Sequence, residues 1–396
     1  MSNFTYVGSD NTAKIKVIGV GGGGGNAVNN MIDSNLQGVK FIAANTDAQA
    51  IGISKASVQL RIGEKLTGGL GAGADPNIGR EAAIENSDAI KKALEDSHMV
   101  FITAGFGGGT GTGATPVIAE ICKEIGALTV AVVTKPFSFE GRKRLRQAEE
   151  GIQVLKEVTD TVITVPNDRL RGLASKNATM LDMFKKADEV LLHSVRGITD
   201  LILMPGLVNL DFADVRSTMS KAGMAIIGIG VAKGENRATE AARKAVSHPL
   251  LEDVRVSTAE GVLMNITCGS DLTMEEMTEA SECIYNEVGE DTDIIWGTVV
   301  DDSLEDEMRV TVIATGIASE DEIQSGGDAR KRGRVRDMIP AGPRGQVDYD
   351  EPTFIRVRES EEKRGGEPEK IHKGFVDGSD DFASFETPAF LRKKAD

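Results

Sequence analysis

The sequence predicts an α/β protein with a Rossmann-type parallel sheet, a long central helix, a second α/β domain and a disordered C-terminal linker that ends in a short peptide. Three observations lead to this prediction. Short β-branched segments alternate with amphipathic helical segments from Ile15 to about Val165, which is typical of a parallel sheet with helices on both faces. A long helical pattern over Met180–Leu203 precedes a second unit from Phe212 to about Gly316. Beyond Gly316 the chain is rich in charge, glycine and proline, which predicts disorder.

The first unit contains five predicted strands, each a short run of β-branched and apolar residues. They are Ile15–Val20, Val39–Asn45, Met99–Ala104, Leu128–Thr134 and Val162–Val165. A helix is expected from Asn26 to Met31, and Asp75 with Pro76 predicts the N-cap and first turn of a helix that reaches toward Ala93. The second unit is expected to form a separate α/β layer. Its predicted helices are near Phe212–Met219, Arg237–Ala245 and Leu272–Val288, and its strands near Met224–Ala232, Val262–Thr267, Asp293–Val300 and Met308–Ala314.

Composition limits the class of protein. With 396 residues, 40% of them apolar, the chain can bury a large core and is expected to form two domains plus tails. No apolar run approaches the roughly 18 to 20 residues that span a bilayer, and the polar N-terminus lacks a signal pattern, so we expect a cytoplasmic protein without membrane insertion. The net charge of −16 disfavours binding to nucleic acid. The three cysteines and four histidines show no metal-ligand spacing, so no protein metal site is expected.

The run Gly107–Gly113, with the sequence Gly-Gly-Gly-Thr-Gly-Thr-Gly, follows a predicted strand and is the most informative feature of the chain. Residues without a Cβ can fold their amides around an anion, and the two threonines add hydroxyl donors. The chain lacks the Gly-Lys-Ser/Thr ending of a P-loop, so backbone amides, a helix dipole and a bound cation must balance the charge of a phosphate. The sequence therefore predicts a phosphate cradle outside the commonest class of nucleoside triphosphatases.

A second glycine run, Gly21–Gly25, lies between the first strand and the helix that follows it. A single run of this kind is as often a flexible turn, but two runs after two strands indicate a binding site. Gly19, Gly21 and Gly24 also satisfy Gly-x-Gly-x-x-Gly, with Asp47 after the next strand, so a dinucleotide-dependent oxidoreductase is an alternative. A dinucleotide pyrophosphate needs only one such turn, whereas a triphosphate tail can use several, and the second run therefore favours a triphosphate.

Ile18–Ala27 and Gly107–Gly113 resemble the first glycine loop and the signature loop of the FtsZ family, the tubulin-like cell-division GTPases of bacteria. The resemblance covers about Lys14 to Gly316 and the last few residues. It implies a tubulin/FtsZ-like fold in which several loops bind GTP or GDP. By this resemblance the nucleotide-binding residues are Gly21, Gly22, Gly23, Gly24, Gly25, Asn26, Asn45, Thr46, Asp47, Gly71, Ala72, Gly73, Gly107, Gly108, Gly109, Thr110, Gly111, Thr112, Gly113, Pro136, Glu140, Arg144, Asn167, Phe184 and Asp188.

Two of these residues, Asn167 and Asp188, would face the guanine base. A carboxylate that accepts hydrogen bonds from N1–H and from the exocyclic amine selects guanine over adenine. Phe184, four residues before Asp188 on the same helix, would stack on the base, and Glu140 and Arg144 would contact sugar and phosphate. Without the resemblance, Asp188 would be interpreted as an exposed acid on a helix surface.

The segment Pro205–Arg216 resembles the loop through which one FtsZ-family subunit completes the active site of its neighbour, and it implies catalytic roles for Asn209, Asp211 and Asp214. Asp211 would cap a helix, and Asp214 would project from the same face. The carboxylates would orient the attacking water, while Mg²⁺, bound mainly by phosphate oxygens and water, offsets developing charge and K⁺ is a candidate second cation. Such a divided site implies head-to-tail homopolymers. The intact carboxylates argue against a filament that does not hydrolyse nucleotide.

The chain ends in an apolar motif, Pro388, Ala389, Phe390, Leu391 and Arg392, after a polar linker. A peptide of this kind fits a groove on a partner protein, and the alternative is a tail that folds back on its own chain. By the resemblance, the partners are membrane-tethering and regulatory division proteins, namely FtsA-like or ZipA-like adaptors and Min-type inhibitors. They would hold the filament at the midcell division site on the inner face of the membrane. The basic cluster at 330–336 is expected to be a solvated patch.

These assignments give the expected domain boundaries. They are a disordered N-terminus over 1–12, a GTP-binding domain over 13–179, the central helix over 180–204, a C-terminal activation domain over 205–317, a disordered linker over 318–379 and the partner-binding peptide over 380–396. Three positions depart from the residues common in the family. Asp75 and Ser138 replace asparagine, and Thr387 replaces an apolar residue. Asp75 adds a negative charge near the phosphate loops unless its side chain is turned into the helix cap.

Overall fold

The computed structural model describes residues 13–173, 177–204, 206–208, 210–220, 223–251, 256–289 and 292–317 of the chain. Its strands are β1 (Ile15–Val20), β2 (Val39–Asn45), β3 (Val58–Arg61), β4 (Met99–Gly105), β5 (Leu128–Lys135), β6 (Thr161–Pro166), β7 (Gly223–Lys233), β8 (Gly261–Cys268), β9 (Asp293–Val300) and β10 (Glu307–Ile317). Its α-helices are α1 (Gly21–Asp33), α2 (Ala48–Gly52), α3 (Glu64–Thr67), α4 (Pro76–Glu85), α5 (Ser87–Leu94), α6 (Thr110–Glu124), α7 (Arg142–Val158), α8 (Met180–Leu203), α9 (Phe212–Met219), α10 (Arg237–Val246) and α11 (Met274–Tyr285).

The strands form one sheet in the order β3-β2-β1-β4-β5-β6-β7-β10-β8-β9. The strands from β3 to β7 are parallel, β10 is antiparallel to both of its neighbours, and β9 is parallel to β8. The strands β1, β2, β4, β5 and β6 therefore end at the same side of the sheet, which we call the carboxyl edge. In parallel α/β sheets, ligands bind at this edge.

The two units predicted from the sequence share this sheet. β6 pairs with β7 through three residue pairs, from Thr161–Gly223 to Ile163–Ala225. The end of α9 is held beside β6 because the Thr161 hydroxyl donates to the Met219 carbonyl, and this contact brings the start of β7 next to β6. The prediction of a separate second layer is therefore wrong, since the strands of the second unit extend the first sheet.

Two apolar cores lie on opposite faces of the sheet, and the alternation along β1 supplies both: Val17 belongs to one core and Ile18 to the other. The helix α8 packs in the core that contains Val17. Its N-terminus is fixed by a capping box, in which Asp182 N–H donates to Thr179 Oγ1 at 3.2 Å and Thr179 N–H donates to the Asp182 carboxylate at 2.9 Å. This helix has the bounds that the sequence predicts.

The glycine run after β1 differs from its prediction, because Gly21–Gly25 forms the first turns of α1 rather than a loop. Gly21 has a φ of +71°, which lets the chain turn directly from the strand into the helix. A Cβ on Gly24 would lie 2.3 Å from the carbonyl oxygen of Thr103. The helix therefore approaches β4 closely because it has no side chain at this position, and it begins at Gly21 instead of Asn26.

Two further details depart from the sequence prediction. The short strand β3 at the edge of the sheet has no buried side chain, so it lacks the apolar pattern by which strands are recognised. The helix expected from Pro76 toward Ala93 is divided at Asn86 into two helices, α4 and α5. The Asn86 side chain accepts a hydrogen bond from Gly63 N–H at 2.7 Å.

No helix within the described ranges is long and apolar enough to cross a membrane. Residues 1–12 and 318–396 lie outside the described residues. The predicted linker, the basic cluster at 330–336 and the docking motif at 388–392 belong to this part of the chain.

Candidate functional site

A cavity of about 400 Å³ opens at the carboxyl edge of the sheet. Its walls come from the N-terminal turns of α1 and α6, the segments that follow β4, β5 and β6, and one face of α8. The lining residues are Gly22, Gly23, Asn26, Gly105, Phe106, Gly108, Gly109, Thr110, Gly111, Thr134, Pro136, Glu140, Arg144, Asn167, Phe184, Ala187, Asp188 and Leu191.

Two helix N-termini converge on this cavity, since Gly22 lies in the first turn of α1 and Thr110 in the first turn of α6. Free amides and the positive end of the helix dipole make such termini attractive to anions. A Cβ added to Gly22 or to Gly108 would meet no atom within 4 Å. Packing inside the protein therefore does not require glycine at these two positions, and the open space beside them suits a phosphate group that approaches the backbone.

Gly107, Thr112 and Gly113 shape the predicted cradle without lining the cavity. Gly107 has a φ of +95°, and its N–H donates to Thr112 Oγ1 at 2.9 Å. Thr112 is buried, so its hydroxyl serves as an acceptor inside the loop. A Cβ on Gly113 would lie 1.9 Å from the Pro76 carbonyl oxygen, so glycine is required here for contact between α6 and α4.

The loops after β2 and α3 contact the cradle at Gly107–Gly113 on the side away from the cavity. The hydroxyls of Thr46 and Thr110 are 2.7 Å apart, and Gly71 N–H donates to the Thr46 carbonyl at 3.3 Å. Asp47 caps α2 by accepting from Gln49 N–H at 2.8 Å. The predicted nucleotide residues that do not line the cavity are Gly21, Gly24, Gly25, Asn45, Thr46, Asp47, Gly71, Ala72, Gly73, Gly107, Thr112 and Gly113.

The two departures from family asparagines near the cradle both have local partners. Asp75 is turned into the cap of α4, where one carboxylate oxygen accepts from Asn77 N–H at 2.9 Å. Ser138 donates to Asp168 through its backbone N–H at 3.0 Å and through its hydroxyl at 3.2 Å. The charge of Asp75 therefore serves the helix terminus as an N-cap.

The far end of the cavity contains a buried polar atom that lacks a partner and a carboxyl group with a raised pKa. Asn167 is 5% exposed, and its Oδ1 atom has no hydrogen-bond partner in the described part of the chain. Burial raises the pKa of Asp188 to about 7. Unpaired buried groups destabilise a protein, so this end of the cavity is suited to a ligand that supplies hydrogen-bond donors. The partly exposed Phe184 ring stands edge-on to Phe137, with 5.4 Å between ring centroids, and leaves a face for an aromatic ligand.

An ion pair lies at the mouth of the cavity. Arg144 donates to Glu140 at 2.7 Å, and the other carboxylate oxygen of Glu140 accepts from Phe137 N–H at 2.9 Å. Glu140 is thereby held in one orientation, while the Arg144 side chain remains half exposed and has further N–H groups to donate.

The sequence interpretation missed five residues of the lining: Gly105, Phe106, Thr134, Ala187 and Leu191. Helical periodicity could have found two of them, because Phe184, Ala187, Asp188 and Leu191 are spaced as one face of α8. The other three are the residues at which the chain leaves β4 and β5. Nothing in their residue types distinguishes them from other ends of strands.

The predicted catalytic loop lies elsewhere in the molecule. Asp211 caps α9 by accepting from Asp214 N–H at 2.8 Å, and both side chains are exposed. Phe212 packs near His98, with 6.2 Å between ring centroids, and His98 immediately precedes β4. The cavity begins where β4 ends, so the length of a seven-residue strand, about 20 Å, separates the two. Asn209 lies outside the described residues.

In the parts of the chain that the structure describes, no group of three or more His, Cys, Asp or Glu side chains is arranged to hold a metal ion. The cavity itself offers backbone amides, helix termini and Arg144 to an anion.

Comparison with known proteins identifies the family. Residues 14–175 match the model of the Tubulin/FtsZ family, GTPase domain, and residues 223–318 match the model of the FtsZ family, C-terminal domain. The chain is 49% identical over 394 residues to the cell division protein FtsZ of Coxiella burnetii, with 97% of each chain covered.

Solved structures agree with these matches. An empty FtsZ dimer from M. jannaschii has 45% sequence identity and a TM-score of 0.75, with 79% of this chain and 90% of that chain covered. A GTPγS-bound protofilament of CetZ2 from Haloferax volcanii has 21% identity and a TM-score of 0.67, with 80% of this chain and 98% of that chain covered, and it shows the fold alone. The alternative of an oxidoreductase is therefore wrong, because the domain that contains both glycine runs is a GTPase domain. The chain belongs to the FtsZ family of tubulin-like cell-division GTPases.

Proposed function

We propose that this GTPase binds GTP in the cavity at the carboxyl edge and hydrolyses it where the carboxylate loop of a second copy meets that cavity. One observation carries the proposal. Asp211 and Asp214 are exposed at the opposite end of β4 from the cavity, so they cannot reach a nucleotide bound in their own chain. A head-to-tail contact between two copies would bring the two halves of the site together.

The geometry of the cavity supports the predicted binding roles. Gly22, Gly108 and Thr110 would place amides and a hydroxyl around the phosphates, and Arg144 would neutralise part of their charge. Asn167 and Asp188 would pair with the guanine edge, which supplies hydrogen-bond donors that stabilise the ionised form of the Asp188 carboxylate.

The hydrolytic step requires a water aligned with the terminal phosphate. The Asp214 carboxylate of one copy would accept a hydrogen bond from that water and orient it, while Asp211 caps the helix terminus from which Asp214 projects. Asn209 is proposed as a third residue of this loop. Mg²⁺, held mainly through the phosphates and water, would offset the negative charge of the nucleotide, and K⁺ is proposed as a second cation.

The first experiment measures phosphate release from GTP over a protein dilution series, with ATP as the control nucleotide and light scattering recorded in parallel. We expect turnover per subunit to rise cooperatively with protein concentration, together with scattering, because the site is complete only in the assembly. Turnover per subunit that is independent of concentration would contradict a shared site.

The separation of binding from hydrolysis is tested with Asp214→Ala. We expect this variant to bind a fluorescent GTP analogue as tightly as the parent chain while its turnover falls at least a hundredfold. Asp88→Ala is the matched control, because Asp88 is also an exposed acid in the first turn of a helix. A large loss of GTP affinity in monomeric Asp214→Ala would place Asp214 beside the nucleotide of its own chain and refute the proposal.

We also propose that the assembled chain acts at the division site, held near the membrane by adaptors of the FtsA-like or ZipA-like type that bind residues 388–392, with Min-type inhibitors as regulators. The support is the membership of the family and the apolar motif at the end of a polar linker. A chain that ends at residue 379 is expected to retain concentration-dependent GTP turnover but to lose its midcell band in cells. A midcell band of normal intensity would contradict this role for the peptide.

A further inference from the structure

The strands β5 and β6 separate beside the proposed nucleotide cavity. Their last paired residues are Lys135 and Pro166. After this pair, the chain that leaves β5 continues through residues 136–141, which we call the β5 loop, and the chain that leaves β6 continues with Asn167. Glu140 of the β5 loop and Asn167 both line the cavity. The shape of the cavity here therefore depends on what holds the β5 loop against the chain after β6.

Asp168 provides this link. Its Oδ2 atom accepts from Ser138 N–H at 3.0 Å, and its Oδ1 atom accepts from the same N–H at 3.2 Å and from the Ser138 hydroxyl at 3.2 Å. Ser138 and Asp168, both within the described ranges, are not among the residues that line the cavity. Hydrogen bonds to a carboxylate are stronger than those between neutral groups. One carboxylate thus joins the β5 loop to the residue next to Asn167, just beyond the point where strand pairing ends.

The β5 loop orients the side chains that are proposed to contact sugar and phosphate. Phe137 N–H donates to one carboxylate oxygen of Glu140 at 2.9 Å, and the other oxygen accepts from Arg144 at 2.7 Å. Ser138 lies between Phe137 and Glu140 in the chain, so a displacement of Ser138 would disturb both hydrogen bonds. The position of Ser138 therefore affects the mouth of the cavity although its own side chain lies outside the lining.

Apolar packing fixes only one end of the β5 loop. The Phe137 ring is 1% exposed and stands edge-on to Phe184 of α8, with 5.4 Å between ring centroids. Phe139 stacks on Phe137 at 5.1 Å but is 59% exposed, and Ser138 is exposed as well. Because little apolar surface is buried beyond Phe137, the exposed part of the loop depends on polar contacts such as those with Asp168.

We propose that Asp168 is a positioning residue for the nucleotide. By holding Ser138, its carboxylate keeps Glu140 and Arg144 beside the sugar and phosphates, and it thereby lengthens the time for which a nucleotide stays bound. This role rests on the proposed nucleotide cavity but needs neither hydrolysis nor assembly. Loss of the carboxylate would let the exposed part of the β5 loop move away while every residue of the cavity lining stays unchanged.

The rate of nucleotide release tests this role. A fluorescent GDP analogue is bound to the full-length chain at a concentration at which it is monomeric, and release is followed after excess unlabelled GDP is added. We expect Asp168→Ala to release the analogue at least about tenfold faster, because hydrogen bonds to a charged group are lost. The association rate should change by less than about twofold. Asp168→Asn keeps one acceptor oxygen, so its release rate should lie between those of Asp168→Ala and the parent.

Asp160→Ala is the matched control. Asp160 lies at the other end of the same two strands, immediately before β6, and its carboxylate accepts from Thr129 N–H near the start of β5 at 2.8 Å. Its removal also takes away a carboxylate that joins the β5 and β6 chains, so it should lower the urea midpoint but leave the release rate unchanged. An equal rise in release from both variants would show that loosening of the sheet controls release, and it would overturn the proposal. Parental release from Asp168→Ala would also overturn it.

Ser138→Ala provides a second test that does not depend on the folding of Asp168→Ala. It removes the hydroxyl bond to Asp168 and leaves the bonds from the backbone N–H in place. We expect release to be about two to three times faster than from the parent, with an unchanged urea midpoint. A release rate equal to that of the parent would contradict the proposed role.

Inosine diphosphate distinguishes an effect on the β5 loop from an effect on the base, because inosine lacks the exocyclic amine that Asp188 is proposed to bind. Asp168→Ala should weaken the binding of both nucleotides and preserve the preference for GDP over inosine diphosphate within about twofold. Loss of this preference would show that Asp168 acts on the base through Asn167, and it would refute the role of the loop. Failure of the proposed nucleotide cavity would look different: Asp188→Asn would keep the parental preference, and the role of Asp168 would fall with the cavity.

Discussion

The carboxyl group of Asp188 gives the nucleotide cavity a pH dependence whose size follows from the structure. Burial raises its pKa from 3.8 to about 7, and guanine binding requires the ionised form because both groups on the base edge are donors. The fraction of competent protein therefore falls as pH falls through 7. Apparent GTP affinity should weaken about tenfold between pH 8 and pH 6, and about a hundredfold at pH 5.

The same raised pKa predicts an effect on stability with the opposite sense. The folded state binds the proton of Asp188 more tightly than the unfolded state, so stability without nucleotide falls as pH rises from about 4 to about 7. A difference of about three pKa units corresponds to about 4 kcal/mol at pH 8. Asp188→Asn removes this penalty, and we expect the nucleotide-free variant to unfold at a higher denaturant concentration than the parent at pH 8.

These two effects are measured together. Fluorescent GDP is titrated into nucleotide-free protein between pH 5 and pH 8.5, and urea unfolding is recorded at the same pH values. Asp188→Asn should bind guanine nucleotide weakly at every pH and should lose the pH dependence of affinity. Exposed Glu149 on α7 provides the control substitution Glu149→Gln. Parental affinity that is constant from pH 8 to pH 6, or a variant less stable than the parent at pH 8, would refute the assignment of Asp188.

Five further substitutions test close packing, ion pairing and helix capping. Gly113→Ala should lower the free energy of unfolding by more than about 3 kcal/mol, because its Cβ would lie 1.9 Å from a carbonyl oxygen of α4. Gly108→Ala should change the free energy of unfolding by less than about 1 kcal/mol but should weaken nucleotide binding. Arg237→Ala should cost about 3–5 kcal/mol in urea unfolding, because this buried guanidinium pairs with two carboxylates, while Lys91→Ala, in an exposed pair, should cost under about 1 kcal/mol. Asp75→Asn should leave thermal stability unchanged, since asparagine is an equally good N-cap, and a marked loss would show that the Asp75 charge has another partner.

Much of the fold follows from local signals in the sequence. The predicted bounds of α8 and α9 are confirmed, and in the structure each helix begins after a side chain that caps it, Thr179 and Asp211. The strands β1, β2 and β9 have their predicted bounds because β-branched residues are dense in them and turn residues follow.

Other features depend on contacts between distant residues and were beyond local reasoning. Five consecutive glycines have poor helix propensity, yet α1 begins with them because Gly24 must approach the Thr103 carbonyl. The pairing of β6 with β7 joins residues 161 and 223, which no periodicity indicates.

The residues of the candidate site also fall into two groups, those that local sequence predicts and those that depend on distant contacts. The glycine runs predict an anion site from their own chemistry, whereas Asp188 was singled out only through the resemblance, because its burial depends on the packing of α8 against the loops after β5 and β6. The contact between the Thr46 and Thr110 hydroxyls, 64 residues apart, is likewise a product of the sheet topology.

The helix α8 has a consequence for how a filament could sense its nucleotide. Its 24 residues form a rod about 36 Å long, with Asp188 near its first turns and the segment that leads to Asp211 after its last. If bound guanine nucleotide tilts one end of this rod slightly, the other end is displaced. The displacement is proportional to the length of the helix. In the proposed head-to-tail filament, the far end of α8 would thereby shift with the nucleotide state of its own subunit, at the surface that is proposed to meet the nucleotide of the next subunit.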